Sequence, residues 1–289
     1  MGPNDLPWLT TIAEVRAAVR SARLAGRTVA VVPTMGALHA GHGRLIEAAR
    51  SEAECVVATI FVNPTQFGPT EDLARYPRTP EDDRRLCAEA GAACIFAPDP
   101  ATMYPPSGSG TFVEVPGLAR VLEGAFRPTH FNGVTTVVMK LLQIVGPDLA
   151  FFGRKDYQQL VIIQRMVEDL NVPVTIRPVE TVREADGLAM SSRNRYLSVE
   201  ERTAATVLHR ALSEAAEAVR AGEGPADRVR QILRSRIESE RMAQLDYAEV
   251  ADPKTLRPLV ESDRVGGAVA LLAVRFPSAR LIDNALLPE

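Results

Sequence analysis

T-V-A-V-V-P-T-M-G-A-L-H-A-G-H-G-R-L-I-E-A-A-R-S-E-A-E-C-V-V-A-T-I-F-V, residues Thr28–Val62, carries the strongest architectural signal in the chain. It opens on a short β-rich run, Thr28–Val32, which Pro33 is expected to break, with Thr34-Met35-Gly36 as turn material. A helix is expected from near Gly41 to about Ala53. Cys55–Val62 is then a continuous apolar run rich in Val, Ile and Phe, the pattern of a strand buried on both faces. Thr79-Pro80-Glu81-Asp82 starts the next helix, with Pro at its first position and acids in its first turn. Gly91 ends it, and Ala93–Ala97 reads as a third buried strand. Upstream, Thr11-Ile12-Ala13-Glu14 is a capping box, and Ile12, Val15, Val19 and Ala22 recur at helical spacing until Gly26. Strand, helix, strand, helix, strand implies a parallel sheet with right-handed crossovers, the doubly wound α/β class.

Further along, Pro98–Phe131 is less regular, with a hairpin expected around Thr111–Val115. Alternation resumes with a helix over Gly133–Ile144, a strand at Leu149–Phe152, a helix at Tyr157–Leu170 and a strand at Val174–Val179. From about Arg183 the character shifts. Ser198-Val199-Glu200-Glu201 caps a long helical stretch to Ala221, and Gly222–Pro225 breaks it. A second charged helix runs to about Arg241. Strands are expected at Asp246–Val250, Ala268–Val274 and Arg280–Ile282. The expected division is a larger domain, 1–182, and a smaller C-terminal α+β domain, 183–289, that closes over the site.

The chain has 289 residues, with 33 Lys+Arg against 36 Asp+Glu and a net charge of −3. That balance lacks the basic footprint of a general nucleic-acid binder, so no nucleic-acid partner is expected. The longest apolar runs, Cys55–Val62 and Ala268–Val274, fall well short of the ~20 residues that span a bilayer. Met1–Thr10 lacks the features of a signal peptide. Three cysteines, Cys55, Cys87 and Cys94, show no C-x-x-C spacing, so neither a disulfide framework nor a zinc knuckle is expected, and the implied compartment is the reducing cytoplasm.

P-loop, G-x-G-x-x-G, G-x-S-x-G and H-E-x-x-H signatures are absent. Four clusters remain. His39-Ala40-Gly41-His42 follows the first strand, at the ligand edge of a parallel sheet and the mouth of the next helix, where a phosphate is favoured. The plainer reading is a solvated loop. Phe151–Gln159 leaves a buried strand through Gly153 and presents Lys155, suited to polyphosphate. Asp156 there reads equally as a ligand of a ribose hydroxyl or a metal water, or as a plain N-cap. Met190-Ser191-Ser192-Arg193-Asn194-Arg195 offers two hydroxyls and two guanidiniums to close over a triphosphate, or is a solvated linker. In Phe61–Phe67, Asn63 and Gln66 are neutral hydrogen-bonders suited to a small polar substrate; turn chemistry explains Asn63-Pro64 but not Gln66.

Together, V-P-T-M-G-A-L-H-A-G-H (Val32–His42), F-V-N-P-T-Q-F (Phe61–Phe67), Y-P-R-T (Tyr76–Thr79), F-F-G-R-K-D-Y-Q-Q (Phe151–Gln159) and D-G-L-A-M-S-S-R-N (Asp186–Asn194) resemble the pantothenate synthetases, or pantoate–β-alanine ligases. The resemblance runs in order from Thr28 to Leu197 and continues more weakly to R-L-I-D-N (Arg280–Asn284). The His39–His42 motif also resembles the signature of the wider nucleotidylyltransferase superfamily. The implied fold is therefore a Rossmann-like doubly wound sheet of nucleotidylyltransferase type. The implied activity is an AMP-forming condensation of pantoate with β-alanine, using ATP and Mg²⁺, through a pantoyl-adenylate.

Residue roles follow from the resemblance alone. His39, His42, Lys155 and Arg193 would be catalytic, with His42 the candidate proton donor. Met35, Gly36, Gly41, Gly153, Arg154, Asp156, Val182, Met190, Ser191 and Ser192 would complete the ATP site, Val182 through main-chain contacts to adenine. Pro33, Thr34, Met35, Asn63, Gln66 and Gln159 would hold the substrates, and Asp82 would serve the metal. A cytoplasmic homodimer is implied, with no membrane partner. Ala40, Gly43 and Arg154 depart from the family pattern. Gly43 is expected to weaken the helix start, and Arg154 to add charge beside the phosphates. A pantetheine-phosphate adenylyltransferase is the nearest rival, but it leaves Gln66 and Tyr157-Gln158-Gln159 unexplained. An aminoacyl-tRNA synthetase would need an anticodon module, and a silent nucleotide-binding regulator would be expected to have lost His39, His42, Lys155 or Arg193.

Overall fold

The computed structural model describes residues 6–69, 71–106, 110–222, 224–261 and 263–289. Two units emerge: Met1–Arg154 with Ile162–Glu180, and Lys155–Val161 with Thr181–Glu289.

In the first unit the strands are β1 (Trp8–Leu9), β2 (Val29–Thr34), β3 (Cys55–Ile60), β4 (Cys94–Phe96), β5 (Leu149–Gly153) and β6 (Thr175–Val179). They form one parallel sheet in the order β1-β4-β3-β2-β5-β6. The connecting helices are α1 (Ile12–Leu24), α2 (Ala40–Glu52) and α3 (Pro80–Glu89), then the single turns α4 (Pro100–Met103), α5 (Pro116–Ala119) and α6 (Glu123–Phe126), and the long α7 (His130–Val145). The Thr11/Glu14 capping box forms as expected. Val29–Val32 and Cys55–Ala58 are buried, because helices cover both faces of a parallel sheet. From β2 the chain steps outward to β3 and β4, then returns to the other side of β2 for β5 and β6. The order therefore reverses between β2 and β5, the point where open α/β sheets bind ligands.

Three local expectations are corrected. Pro33 does not break its strand; it lies inside β2, opposite Thr59. The Thr28 and Thr34 carbonyls accept from Cys55 N and Phe61 N on the β3 side, whereas the Val29 carbonyl accepts from Asp148 N, so alternate residues face β5. Pro33 faces β5 beyond the last registered pair, Val31 with Ala150, where no ladder donor is needed. The Thr111–Val115 hairpin does not form either. Its alternation finds no partner strand, and α7 hydroxyls take the backbone instead: Val113 N donates to Thr136 Oγ1 (3.1 Å), and Thr135 Oγ1 donates to the Val113 carbonyl (2.5 Å).

The third correction lies in the second unit. Its helices beyond residue 181 are α9 (Val199–Ala204), α10 (Val207–Arg220) and α11 (Ala226–Glu238), preceded in the chain by α8 (Tyr157–Asp169), of which residues 157–161 belong here. The Ser198/Glu201 capping box forms, but the expected single helix to Ala221 is interrupted at Ala205–Thr206. Thr203 and Thr206 hydroxyls donate to the Val199 and Thr203 carbonyls, the local competition that bends helices. Strands β7 (Gln244–Ala251), β8 (Val269–Arg275) and β9 (Arg280–Leu286) form an antiparallel sheet in that order. Leu208 and Leu212 of α10, Leu233 and Ile237 of α11, and Leu272 of β8 share one buried core.

Candidate active site

The turn leaving β2 is held in an unusual backbone. Gly36 has φ +81°, and Ala37 has φ +50° without being glycine. A Cβ on Gly36 would meet Asp83 Oδ2 at 3.0 Å and Ile60 Cγ2 at 3.1 Å, so the residue must be small as well as left-handed. The buried Asp83 carboxylate fixes this turn. It accepts from Ala37 N (3.0 Å), Leu38 N (2.8 Å) and the Thr79 hydroxyl (3.0 Å). Below it, the Thr34 hydroxyl donates to the Thr59 carbonyl (2.6 Å).

Two imidazoles cap α2. His39 Nδ1 accepts from Gly41 N (3.2 Å), and His42 Nδ1 accepts from His39 N (3.3 Å). The rings lie 4.1 Å apart, centroid to centroid. A nitrogen that accepts carries no proton, so in the neutral rings both protons sit on Nε2. The helix mouth thus presents two imidazole N–H groups where its own dipole already favours an anion.

Asn63 leaves β3 and is fully buried. Its Oδ1 accepts from the Tyr104 hydroxyl (2.9 Å) and the Thr65 hydroxyl (3.0 Å), and its Nδ2 donates to the Gly133 carbonyl (3.0 Å) and Gln66 Oε1 (3.2 Å). Those bonds make it a brace for Gln66. The Gln66 Nε2 lies 2.9 Å from Met35 Sδ, a weak acceptor that a substrate oxygen would readily replace. The Gln66 carbonyl accepts from His130 Nδ1 (2.9 Å) and Arg127 (3.3 Å), and Arg127 makes a two-pronged pair with Glu71 (2.8 and 2.5 Å). Burial, with the Arg127 charge beside it, pushes the His130 imidazole down to about 4, so near pH 7 it is a neutral donor.

In the second unit, Lys155 and Asp156 pair at 3.4 Å in the single turn that leads into α8. Asp156 is therefore not an isolated N-cap. The Val182 carbonyl accepts from Met190 N (2.9 Å), closing a narrow loop with Arg183 bridged to Ala189. Gly187 at its tip has φ +91°, and a Cβ there would fall 1.9 Å from the His209 ring. Ser191 Oγ accepts from Arg193 N (3.3 Å), and Asn194 Nδ2 donates to the Ala189 carbonyl (3.1 Å). Within the first unit, Arg154 pairs with Glu180 at 3.0 Å, which compensates the extra charge expected there.

Of the sequence-based candidates, Thr34, Met35, Gly36, His39, Gly41 and His42 share the β2–α2 turn, and Met35 brings Gln66 to it. Asp82 is not brought there. It is exposed and paired with Arg85, and among the described residues no three His, Cys, Asp or Glu side chains gather as for a metal. Its neighbour Asp83 is the carboxylate that matters, and helical phase could have found it, since Asp83 lies one turn from buried Cys87. His130, Arg127 and Tyr104 were missed. Only His130 carried any signal, as one of four histidines. Burial pushes the thiols of Cys87 and Cys94 up to about 12, so neither supplies a thiolate.

A family model described as pantoate-beta-alanine ligase matches residues 8–286. The chain belongs to this ligase family. Among relatives in the pantoate-beta-alanine ligase family, the pantothenate synthetase of Moorella thermoacetica is 52% identical over 280 residues, covering 96% of this chain and 98% of the relative. The crystal structure of pantothenate synthetase from Thermus thermophilus superposes with a TM-score of 0.93 at 47% identity, covering 98% of this chain and all of that one. A Francisella tularensis ligase, described as complexed with beta-gamma ATP and beta-alanine, superposes with a TM-score of 0.79 at 31% identity, each chain covered to 97%. The match spans both units, so the α/β fold with its small antiparallel C-terminal sheet is that of the ligase family.

Proposed function

We propose that this chain joins pantoate to β-alanine in two half-reactions. A pantoate carboxylate oxygen attacks the α-phosphorus of ATP and pyrophosphate leaves, giving pantoyl-adenylate. The β-alanine amine then attacks the activated carbonyl, and AMP leaves with the carbon–oxygen bonding pair. No protein nucleophile is needed. Positioning and charge stabilisation supply the rate. The observation that carries this reading is the pair of backbone-held imidazoles at the mouth of α2, whose Nε2 protons suit phosphate oxygens.

In this scheme His39 and His42 contact the phosphates, and His42 donates as charge grows on the bridging oxygen. Lys155 and Arg193 neutralise phosphate, Ser191, Ser192 and Met190 line the nucleotide, and Asp156 meets the ribose. Val182 offers main-chain contacts to adenine. Gln66 and Gln159 hold pantoate, with Asn63 acting through Gln66. Among the described residues no three His, Cys, Asp or Glu side chains gather as for a metal, so the ion is assigned here as a companion of the nucleotide's phosphates, and no step runs through it. A cytoplasmic homodimer, with a nucleotide- and pantoate-binding domain over 1–182 and a C-terminal domain over 183–289, belongs to the same reading.

Support comes from the Francisella relative, described with beta-gamma ATP and beta-alanine. The test is exchange of labelled pyrophosphate into ATP with pantoate present and β-alanine absent. Exchange that depends on pantoate is expected. Equal exchange without pantoate, or exchange with phosphopantetheine alone, defeats the proposal.

A further inference from the structure

R-L-I-D-N, Arg280–Asn284, is a resembling motif to which the scheme above gives no work. It lies on β9, an outer strand of the three-stranded sheet. Consecutive residues of a strand face opposite sides, yet Asp283 and Asn284 are both buried. Their partners explain this. The Asp283 carboxylate takes Arg183 in a two-pronged pair (2.7 and 3.0 Å), and Arg183 also donates to the Gly187 carbonyl (3.1 Å) and the Asn284 carbonyl (3.4 Å). Asn284 Nδ2 donates to the Lys155 carbonyl (2.8 Å), and Asn284 N donates back to Asp283 Oδ1 (2.8 Å). Two segments far apart in the chain are tied to two adjacent residues of one strand. One carries Lys155; the other is the Val182–Arg193 loop. Both lie outside the named strands, and charge stabilisation works only when its groups are held to within about 0.5 Å.

We propose that Asp283 and Asn284 are positioning residues for the nucleotide, acting through the backbone of Lys155 and through Arg183. The proposal rests on the reading above that Lys155 and Val182–Arg193 serve ATP. The Asn284 amide acts as a donor toward a carbonyl, which aspartate at that position cannot imitate. Asp283 holds the narrow loop at its neck, one residue from Val182.

The test uses the full-length protein with Asn284→Ala, Asn284→Asp, Asp283→Asn and, as a control on the same strand, Arg280→Ala. Arg280 pairs with Asp246 (2.6 Å) and sits away from both loops in sequence. Thermal midpoints are measured beside the KM for ATP, the KM for β-alanine and kcat. Both Asn284 variants are expected to lower kcat/KM for ATP about tenfold, the scale of one buried hydrogen bond. The KM for β-alanine should stay within about twofold, and Arg280→Ala should leave kcat/KM for ATP within about twofold. Asp283→Asn should follow Asn284→Ala, so either site serves if the other variant fails to fold. Unchanged ATP kinetics in folded Asn284 and Asp283 variants, alongside a crippled Lys155→Ala, would overturn the proposal while sparing the site. An equal loss in Arg280→Ala would reduce β9 to general support and also overturn it. A fully active Lys155→Ala would bring down the nucleotide reading and this proposal with it.

Discussion

Replacing Asp83 by asparagine tests the architecture of the β2–α2 turn directly. The carboxylate accepts three hydrogen bonds, from Ala37 N, Leu38 N and the Thr79 hydroxyl, and its residue is 2% exposed. Asparagine keeps the shape but turns one end into a donor. With Nδ2 in the place of Oδ2 it opposes Ala37 N; in the place of Oδ1 it opposes Leu38 N. Either orientation leaves one buried N–H without an acceptor, which costs about 1–3 kcal/mol. The surviving bonds lose their charge assistance, roughly another 1 kcal/mol. A total of about 2–4 kcal/mol corresponds to a fall of about 5–10 °C in Tm for a chain of this size. The effect on function has a separate origin. Ala37 sits at φ +50°, a strained setting that persists only while its surroundings hold it. Once released, it relaxes and moves His39, two residues on. Thermal unfolding and steady-state AMP release are the assays, and kcat/KM for ATP should drop at least about tenfold. A variant with an unchanged melting point and unchanged ATP kinetics would refute the claim that this carboxylate sets the turn.

Burial lowers the His130 pKa from 6.5 in the unfolded chain to about 4 in the fold, so between those values the unfolded chain binds more protons and stability falls as pH falls. The share lost reaches about 3 kcal/mol on passing from pH 7 to pH 4, and denaturant titrations of His130→Asn across that window should show a shallower slope than the parent. An identical slope would assign the acid sensitivity to other groups. His42→Ala should cut pantoate-dependent pyrophosphate exchange at least about tenfold, and near-native exchange removes His42 from the mechanism. Gly43→Ala should stabilise by about 0.5–1 kcal/mol in urea, because its Cβ meets only Leu86 Cδ2 at an ordinary 3.6 Å. By contrast Gly187→Ala, whose Cβ would strike the His209 ring, should lower the melting point by several degrees; a gain in stability there would contradict the packing.

The layering of both units was legible because its signals are local. Capping residues mark Thr11 and Ser198, and apolar runs mark β3 and β8. His39 and His42 were legible for the same reason: their spacing, the intervening Gly and the preceding strand all lie within a few residues. Partnerships between distant segments were not. Asp82 and Asp83 are indistinguishable as letters, and only the buried phase of α3 separates them. His130 acquires its role from a carbonyl 64 residues away. Arg154 looked like spare charge until Glu180 answered it. Asn63 read as a substrate ligand; its amide also joins Tyr104, Thr65, Gly133 and Gln66, and the partners at Tyr104 and Gly133 lie too far along the chain for any local signal. Alternation at Thr111–Val115 was real, but a hairpin also needs a second strand, and threonine hydroxyls on α7 had already captured the backbone.

The outer strand β6 has a bearing on how this protein survives at high concentration. Thr175 N donates inward to the Asp148 carbonyl, so the backbone of Thr175, Arg177 and Val179 turns toward β5, while Ile176 and Pro178 turn their main chain outward. A foreign strand docking along that rim would find Pro178, with no hydrogen to offer, in the middle of its track. At the opposite rim, β1 is two residues long, too short to template anything. Both flanks of the sheet are thus poor seeds for runaway strand-to-strand stacking, a safeguard written into one proline and one truncated segment.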